Sequence, residues 1–231
     1  MKKIISFSLY GSDPKYIEGM KQNIDMVPKI YGDDWVVRIY VDNTVDQESL
    51  SYFKKVEGIE VVDMTNINMP GMFWRFMPFT DTTVDIFCVR DADSRPSIRE
   101  KAAVDEWLAS SKSLHTMRDH PHHNYVVMGG MFGFNKVNGN YNFIKDYKRF
   151  ISPNYSFKKM DDMIFLKSLY ENFYNSSVSH DSYARSSVDN NGNRYLTKSK
   201  NYPITRENKE EGFIGEIFNK DNKPEFHREL L

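Results

Sequence analysis

Strand-like and helix-like segments alternate along the first half of the sequence, and this alternation limits the fold more than any other feature. Residues 4–10 form an apolar strand-like run, and Ser12-Asp13-Pro14 then combines capping residues with a proline suited to a first helical turn. The segments that follow are predicted as a strand (35–42), a helix (46–57), a strand (59–64), a short aromatic helix or loop (70–79) and a strand (84–89). Strands alternating with helices form parallel sheets through right-handed crossovers. The sequence therefore predicts an α/β fold with a mostly parallel central sheet flanked by helices.

The second half predicts further elements of both kinds. Ser97 and Glu100 have the spacing of a capping box, which starts a helix with Ile98 and Trp107 on its inner side and Glu100 mostly outside. Strands are predicted at 113–119 and 129–134, and helices at 141–151 and from about 160 to 173. The polar stretch 175–202 is expected to be irregular, with a late edge strand at 211–219.

The charge balance excludes two classes of partner. The 31 lysines and arginines against 32 aspartates and glutamates leave a formal charge of −1. Such a balance gives no electrostatic footprint for nucleic acid or an acidic membrane surface, and no run approaches the ~18 apolar residues of a membrane span. Cys88 is the only cysteine, so no intrachain disulfide can form. We expect no nucleic-acid partner, no membrane span and a reducing, cytoplasmic location.

Two carboxylates, Asp91 and Asp93, follow the most apolar predicted strand, and Asp42 ends an earlier one. Ligands of open parallel sheets bind beyond the carboxyl ends of the strands, so all three are expected at a binding edge. Adjacent carboxylates repel, and Mg²⁺ or Mn²⁺ relieves the repulsion because it prefers oxygen ligands and completes its shell with water and phosphates. Arg90 and Arg95 suit the same anionic cargo. The alternative is a surface turn in which the two acids only form ion pairs with these arginines.

The strand ending in Asp-x-Asp resembles the metal motif of GT-A-type glycosyltransferases. The run RDADSRPSIREKAAVDEW (90–107), followed by MRDHP, GGMFGF and DDMIFL, is similar to glycosyltransferases of large algal viruses and some bacteria. The resemblance covers most of residues 42–181. It implies a Rossmann-like GT-A fold that transfers a sugar from a nucleotide-diphosphate sugar, with a UDP-sugar expected, to a glycan or other hydroxyl acceptor. It also implies one domain, 1–231, with a nucleotide-binding half to about residue 95 and an acceptor half from about residue 96 that ends in an irregular C-terminal segment.

The resemblance assigns roles to individual residues. Asp93 would bind Mn²⁺ or Mg²⁺ directly, and Asp91 would contact a water on the metal or the ribose. His180 is the expected third metal ligand, with a solvated loop histidine as the alternative. Asp42 would meet the nucleoside, or else cap a helix or turn. Arg75 would be a second cation on the diphosphate or sugar, or else a helix-surface charge packed on aromatic rings.

The acceptor side involves a glycine pair and an acid pair. Gly129 and Gly130 allow backbone to approach a ligand closely, and in the family this loop faces the donor sugar and acceptor. The alternative is a bulge or tight packing. Asp161 and Asp162 open the last strong helix, where an acid in inverting enzymes takes the proton of the acceptor hydroxyl, and Asp162 fits that position better. The alternative is that both acids only cap the helix and interact with its dipole. If neither acts as the base, a retaining mechanism stays open.

Two rival functions stay open. Phosphoryl hydrolysis of the Asp-x-Asp-x-Thr kind needs its nucleophile after the first strand, whereas this pair follows the fourth and ends in Ser94. A non-catalytic nucleotide-sugar or glycan-binding domain would keep the acid pair and lack the base. Four histidines lack the spacing of a zinc site and are predicted as polar loop residues beside the acceptor pocket, namely His115, His120, His122 and His123.

Overall fold

The computed structural model describes residues 1–151, 155–183, 186–188, 194–225 and 228–230. The described strands are β1 (Lys3–Leu9), β2 (Trp35–Val41), β3 (Ile59–Asp63), β4 (Ile86–Arg90), β5 (Leu114–Arg118), β6 (Met131–Asn135), β7 (Ser177–Asp181), β8 (Ser186–Val188), β9 (Arg194–Leu196) and β10 (Ser199–Lys200). The described α-helices are α1 (Pro14–Tyr31), α2 (Gln47–Lys55), α3 (Ile98–Ala109), α4 (Phe143–Phe150) and α5 (Asp161–Phe173). A 3₁₀ helix covers Gly71–Phe79, and shorter ones cover Tyr174–Ser176, Lys209–Glu211 and Arg228–Leu230.

Eight of the described strands form one sheet in the order β10-β7-β5-β6-β4-β1-β2-β3. Strand β6 runs antiparallel to both of its neighbours, β4 and β5, whereas the other pairings in this sheet are parallel. Strands β8 and β9 pair separately as an antiparallel ribbon. The prediction of an α/β fold with a mostly parallel central sheet is therefore confirmed.

Apolar cores cover both faces of the sheet. Along β4, Ile86 and Cys88 belong to a core shared with α1 and α3, whereas Phe87 and Val89 belong to one shared with the 3₁₀ helix, α4 and α5. This division follows from the two-residue period of a strand. A strand covered on both faces is mostly apolar, which agrees with the absence of polar alternation in residues 86–89.

The start of α3 agrees with its prediction, but its predicted faces are partly wrong. Ser97 Oγ accepts a hydrogen bond from Glu100 N at 3.1 Å, as the capping box requires. However, Ile98 is 69% exposed and Glu100 only 2% exposed. Glu100 lies inside because its carboxylate accepts from Arg90 Nε at 2.7 Å, and a buried guanidinium without such a partner would be strongly destabilising.

The C-terminal part differs from its prediction. The stretch after residue 175 is more regular than expected, since β7 to β10 lie in it, although residues 184–185 and 189–193 are outside the described residues. The expected edge strand at 211–219 is wrong, because Phe218 forms only an isolated bridge with Pro224. Among the described residues, no helix combines the length and the apolar character that crossing a membrane requires.

Candidate active site

The direction of β6 brings two distant segments together at the carboxyl edge of the sheet. Arg90, the last residue of β4, lies opposite Met131, the first residue of β6. Asp91 therefore faces the glycine pair that precedes β6. A Cβ atom on Gly130 would collide with the Asp91 carboxylate, and one on Gly129 would collide with the carboxylate of Asp162. Glycine at both positions lets this backbone pack directly against two acids.

Arg75 connects these two acids. Its Nη1 pairs with Asp91 Oδ1, and its Nη2 donates to Asp162 Oδ2 at 2.7 Å. The 3₁₀ helix that carries it is fixed to β1, because Arg75 N donates to Ser8 Oγ at 2.9 Å and Arg75 O accepts from Ser6 Oγ at 2.7 Å. Burial favours a lower pKa for Arg75, but the two carboxylates outweigh it and raise the pKa above its usual value. Arg75 is thus a buried, charged link between two acids, and the alternative of a helix-surface charge is wrong.

Asp93 lies at the same end of β4 as Asp91 but is more deeply buried. Its side chain is 7% exposed, compared with 43% for Asp91, and its Oδ2 lies 3.0 Å from Lys15 Nζ. Burial raises the pKa of Asp93, the charge of Asp91 raises it further, and Lys15 opposes both. Among the described contacts, neither acid pairs with Arg90 or Arg95, so the alternative of a self-contained surface turn does not hold.

These side chains line a cleft of about 680 Å³. Its other walls come from the histidine loop, with His120, His122 and His123, and from the C-terminal segment, with Phe213, Gly215 and Ile217. A second groove of about 990 Å³ contains Asp42 and Trp74 in its lining. Tyr10, 44% exposed, lines both, so the two spaces are neighbours along the edge of the sheet.

Asp162 and Asp161 have different positions although they are adjacent. The Asp162 side chain lines the cleft, and its Oδ1 accepts from Met163 N at 2.9 Å. Asp161 does not line the cleft. Its Oδ2 accepts from Lys158 N at 2.6 Å, so it stabilises the turn that enters α5. The candidate base is therefore reduced to Asp162, and Asp161 has the structural position that was its alternative.

Asp42 caps a local turn, as its alternative stated, and it also lines a groove, while its contact with a nucleoside stays a prediction. It lies in the lining of the second groove, and its Oδ1 accepts from Thr44 N at 3.1 Å in a local turn. Thr44 Oγ1 in turn accepts from Gly11 N at 2.6 Å. This bond ties the turn after β2 to the end of β1, so the position of Asp42 is fixed relative to Tyr10.

Arg90 does not face the cleft, and its prediction as an anion contact is wrong. It is 4% exposed, and its guanidinium is bound by Glu100, by Tyr31 Oη at 3.1 Å and by Phe132 O at 3.1 Å. Arg90 shares a side of β4 with Cys88 because the two are two residues apart, and that side packs on α1 and α3. The Arg90 guanidinium therefore binds Glu100 in the core and does not face a ligand in the cleft.

His180 is also away from the acid pair, and its prediction as the third metal ligand is wrong. Three strand-to-strand steps separate β7 from β4, which is about 14 Å at the usual strand spacing. His180 is fully buried, with Nδ1 2.8 Å from His115 Nε2 and Nε2 3.0 Å from Glu106 Oε2. The alternative of a solvated loop histidine is equally wrong, because both histidines lie in sheet strands.

With His180 excluded, Asp91 and Asp93 are the remaining candidate metal ligands. Asp91 and Asp93 offer oxygen ligands at one strand end. Burial and, to a smaller extent, the charge of Asp91 raise the pKa of Asp93, although Lys15 opposes both. Carboxylate oxygens fit Mg²⁺ or Mn²⁺, which fill their remaining positions with water and phosphates. Within the described ranges, no group of three or more His, Cys, Asp or Glu side chains is arranged to hold a metal. Among the residues that the structure describes, Asp91 and Asp93 are the two side chains proposed to bind the ion.

Lys15 and Tyr10 are site residues that the sequence analysis missed. Lys15 belongs to the first turn of α1, and it reaches Asp93 because β1, which leads into α1, pairs with β4. The Asp13-Pro14 helix start would place Lys15 at the carboxyl edge of the sheet. No local sequence pattern predicts the strand order that places β1 beside β4.

Comparison with known proteins identifies the fold. No family model and no curated protein matches the sequence. Among solved structures, the galactosyltransferase LgtC, determined with donor and acceptor sugar analogues, matches with a TM-score of 0.51 and 12% identity over 78% of this chain and 73% of LgtC. The chain has a Rossmann-like GT-A fold.

Matches with lower scores include two further proteins. GlyE of Streptococcus pneumoniae TIGR4 has a TM-score of 0.48 and 13% identity, over 77% of this chain and 44% of GlyE. A 4-diphosphocytidyl-2C-methyl-D-erythritol synthase of Anaerococcus prevotii DSM 20548 has a TM-score of 0.48 and 11% identity, over 78% of this chain and 87% of the synthase. At 12% identity the likeness to LgtC concerns the fold alone, and the two matches with TM-scores below 0.5 support no further conclusion.

Proposed function

We propose that this chain is a metal-dependent glycosyltransferase that moves a sugar from a nucleotide-diphosphate sugar, with UDP as the nucleotide, to a hydroxyl group of a glycan or other acceptor. The observation that carries the proposal is the meeting of Asp91, Asp93, Arg75 and Asp162 in one cleft at the carboxyl edge of the sheet. Ligands of open α/β sheets bind at this edge. The GT-A fold supports the reaction class by analogy.

The two neighbouring spaces suit a donor made of two parts. The groove with Asp42 and Trp74 would take the nucleoside, whose hydroxyls a carboxylate can accept from. The exposed ring of Tyr10 stands between this groove and the cleft and offers an apolar face to a base or ribose. The diphosphate and the sugar would then lie in the cleft, beside Asp91 and Asp93.

Asp91 and Asp93 would hold Mn²⁺ or Mg²⁺ at the diphosphate. When bound there, the ion supplies positive charge near the leaving group, which becomes more negative as the glycosidic bond breaks. Arg75 adds a fixed cation beside Asp91, and its raised pKa keeps it charged. Lys15, in the first turn of α1, pairs with Asp93 and balances part of its charge.

Asp162 is the proposed general base. Its carboxylate is oriented by two hydrogen bonds, from Arg75 to Oδ2 and from Met163 N to Oδ1. A base has to reach the acceptor hydroxyl within hydrogen-bond distance, and Asp162 lines the cleft in which the hydroxyl would lie. The same pairing with Arg75 also fits a structural role, so a non-catalytic nucleotide-sugar or glycan-binding domain remains the alternative.

Thermal unfolding with nucleotide sugars tests the proposal. UDP-glucose, UDP-galactose and UDP-N-acetylglucosamine would each be added with Mn²⁺, with Mg²⁺ or with EDTA, and free UDP would be a control. A ligand that binds only the folded chain stabilises it by about 2.7 kcal/mol at a hundred times its dissociation constant. We expect stabilisation that needs a donor and a metal together. A panel without any donor-dependent shift would contradict the proposal.

A further inference from the structure

Methionine is the most frequent residue type in the lining of the cleft that contains Asp162. Within the described lining there is no Asn or Gln, although an amide supplies both donors and acceptors to hydroxyl groups. Five of the twelve methionines of the chain line the cleft instead, namely Met72, Met128, Met131, Met160 and Met163. Hydroxyl groups placed against these methionines would lose hydrogen bonds to water, because a thioether sulfur is only a weak acceptor.

The methionines stand directly beside the acids. Met128 precedes Gly129, the glycine packed against the Asp162 carboxylate. Met160 and Met163 lie on either side of Asp162 at the start of α5. A molecule that brings a hydroxyl to Asp162 would therefore have these thioether side chains among its neighbours in the cleft.

The apolar wall continues from the cleft onto the outer surface. Met160 is 42% exposed, and its backbone has a φ of 77°, in the left-handed region that residues other than glycine rarely adopt. Tyr125 Oη lies 3.5 Å from Met160 Sδ, so the side chain has a fixed neighbour at the mouth. Ile164, one helical turn further on the same side of α5, is 51% exposed. The surface next to the proposed base thus combines the exposed apolar side chains of Met160 and Ile164 with the exposed Lys158 and Lys159.

We propose that the acceptor carries an apolar aglycone, an aryl or alkyl group, and that this group lies on a methionine wall formed by Met128, Met160 and Met163. The inference rests on the proposed function, because it takes Asp162 as the group that receives the acceptor hydroxyl. Methionine side chains are flexible and polarisable, and they pack well against rings and alkyl chains of different shapes. Apolar cavities with a few placed polar groups are the usual form of a site for such molecules.

Methionine-methyl NMR tests the wall without depending on activity. The full chain, labelled with [methyl-¹³C]methionine, would be titrated with para-nitrophenyl and octyl glycosides of glucose and galactose, the octyl compounds below their micelle concentration. The matching methyl glycosides are the control. We expect saturable shifts of the Met128, Met160 and Met163 methyl resonances with the aryl or alkyl compounds, and none with the methyl glycosides. Equal responses to both sets, or shifts only at methionines outside the cleft, would overturn the inference.

A pair of variants separates the acceptor inference from the proposed function. Met160→Ser changes an exposed wall residue, and Ile98→Ser changes an exposed apolar residue on α3 that does not line the cleft. We expect Met160→Ser to weaken octyl glycoside binding about tenfold and Ile98→Ser to leave it unchanged, with donor-dependent thermal shifts kept in both. If donors stabilise the chain but Met160→Ser has no effect on the glycoside, only the acceptor inference is lost. If no donor stabilises any variant, the proposed function fails first.

Discussion

At the scale of single residues, Arg75 determines how charge is arranged in the cleft. Asp91 follows β4 and Asp162 lies in the first turn of α5, yet one buried guanidinium pairs with both. Arginine suits this place because its planar fork carries several donors in fixed directions, whereas a lysine would offer a point charge on a flexible stem. The two acids consequently share one cation and are held at fixed positions before any ligand binds.

Adjacent acids provide a matched test of the proposed base. Asp162→Asn keeps the shape of the side chain but removes its ability to accept a proton, whereas Asp161→Asn changes a residue outside the cleft. We expect Asp162→Asn to lower the transfer rate about 100- to 10,000-fold, the usual contribution of a general base, with donor binding kept. Asp161→Asn should transfer sugar at a rate close to the unchanged chain.

Steady-state rates and donor-dependent thermal shifts of both variants check this expectation. Undiminished transfer by Asp162→Asn would remove Asp162 from the mechanism. Complete loss of transfer in both variants would instead point to damage at the start of α5.

At the scale of elements, the glycine pair before β6 allows this backbone to pack directly against Asp91 and Asp162. Gly130→Ala would drive a methyl group into the Asp91 carboxylate, and the rigid strand pairing with β4 leaves the aspartate as the part that moves. We expect metal-dependent donor binding to fall at least about tenfold while the fold is retained, since positioning errors of this kind are costly.

Gly139→Ala, at a glycine that is also tightly packed but is outside the cleft lining, is the control. Calorimetry with circular dichroism measures both, and unchanged binding by Gly130→Ala would show that Asp91 is not positioned by this contact.

The histidine pair between β5 and β7 makes stability depend on pH. Burial, with the neighbouring His180, lowers the pKa of His115 well below its usual value, and burial also lowers that of His180. Below about pH 6.5 the unfolded chain therefore binds more protons at these positions than the folded chain does. Stability should be fully present above that pH and should fall as the pH decreases, by about 1.4 kcal/mol per unit for each histidine that stays neutral when folded.

Denaturant unfolding at pH 7.5, 6.5 and 5.5 checks this dependence. His115→Phe, which keeps a ring against Trp107, should make the profile flatter in this window. A variant profile as steep as that of the unchanged chain would contradict the role of His115.

At the scale of the whole molecule, local patterns predicted the elements well and their arrangement poorly. The capping box of α3, the helix start at Pro14 and the apolar β4 depend on neighbours in sequence, so they could be predicted. The place of His180 depends on strand order, since β5 and β6 separate β7 from β4, and no local pattern encodes that order. Strand parity offered one missed signal, because Arg90 is two residues from the apolar Cys88 and so points into the same core.

The candidate site was predicted in part for the same reason. The cleft brings together Asp91, Asp93, Asp162 and both glycines. The position of Asp91 and Asp93 follows from a parallel strand that ends before them, whereas the glycines reach this edge only because β6 is antiparallel. Lys15 was missed because its contact with Asp93 needs β1 to lie beside β4. The metal, the UDP donor, the likeness to algal virus enzymes, the division near residue 95 and the cytoplasmic location stay predictions.

Calorimetric titration of a UDP-sugar in Mn²⁺ is the most direct test of the claim that the acid pair at this sheet edge holds a cation-dependent donor. It would compare the unchanged chain with Asp93→Ala and with Asp105→Ala, which removes an exposed acid on α3. We predict that EDTA abolishes donor binding and that Asp105→Ala binds the donor with unchanged affinity. We predict an affinity at least about 100-fold lower in Asp93→Ala, because loss of a metal ligand costs more than a change in a residue that only supports a ligand. An Asp93→Ala chain that binds the donor as tightly as the unchanged chain would contradict the account.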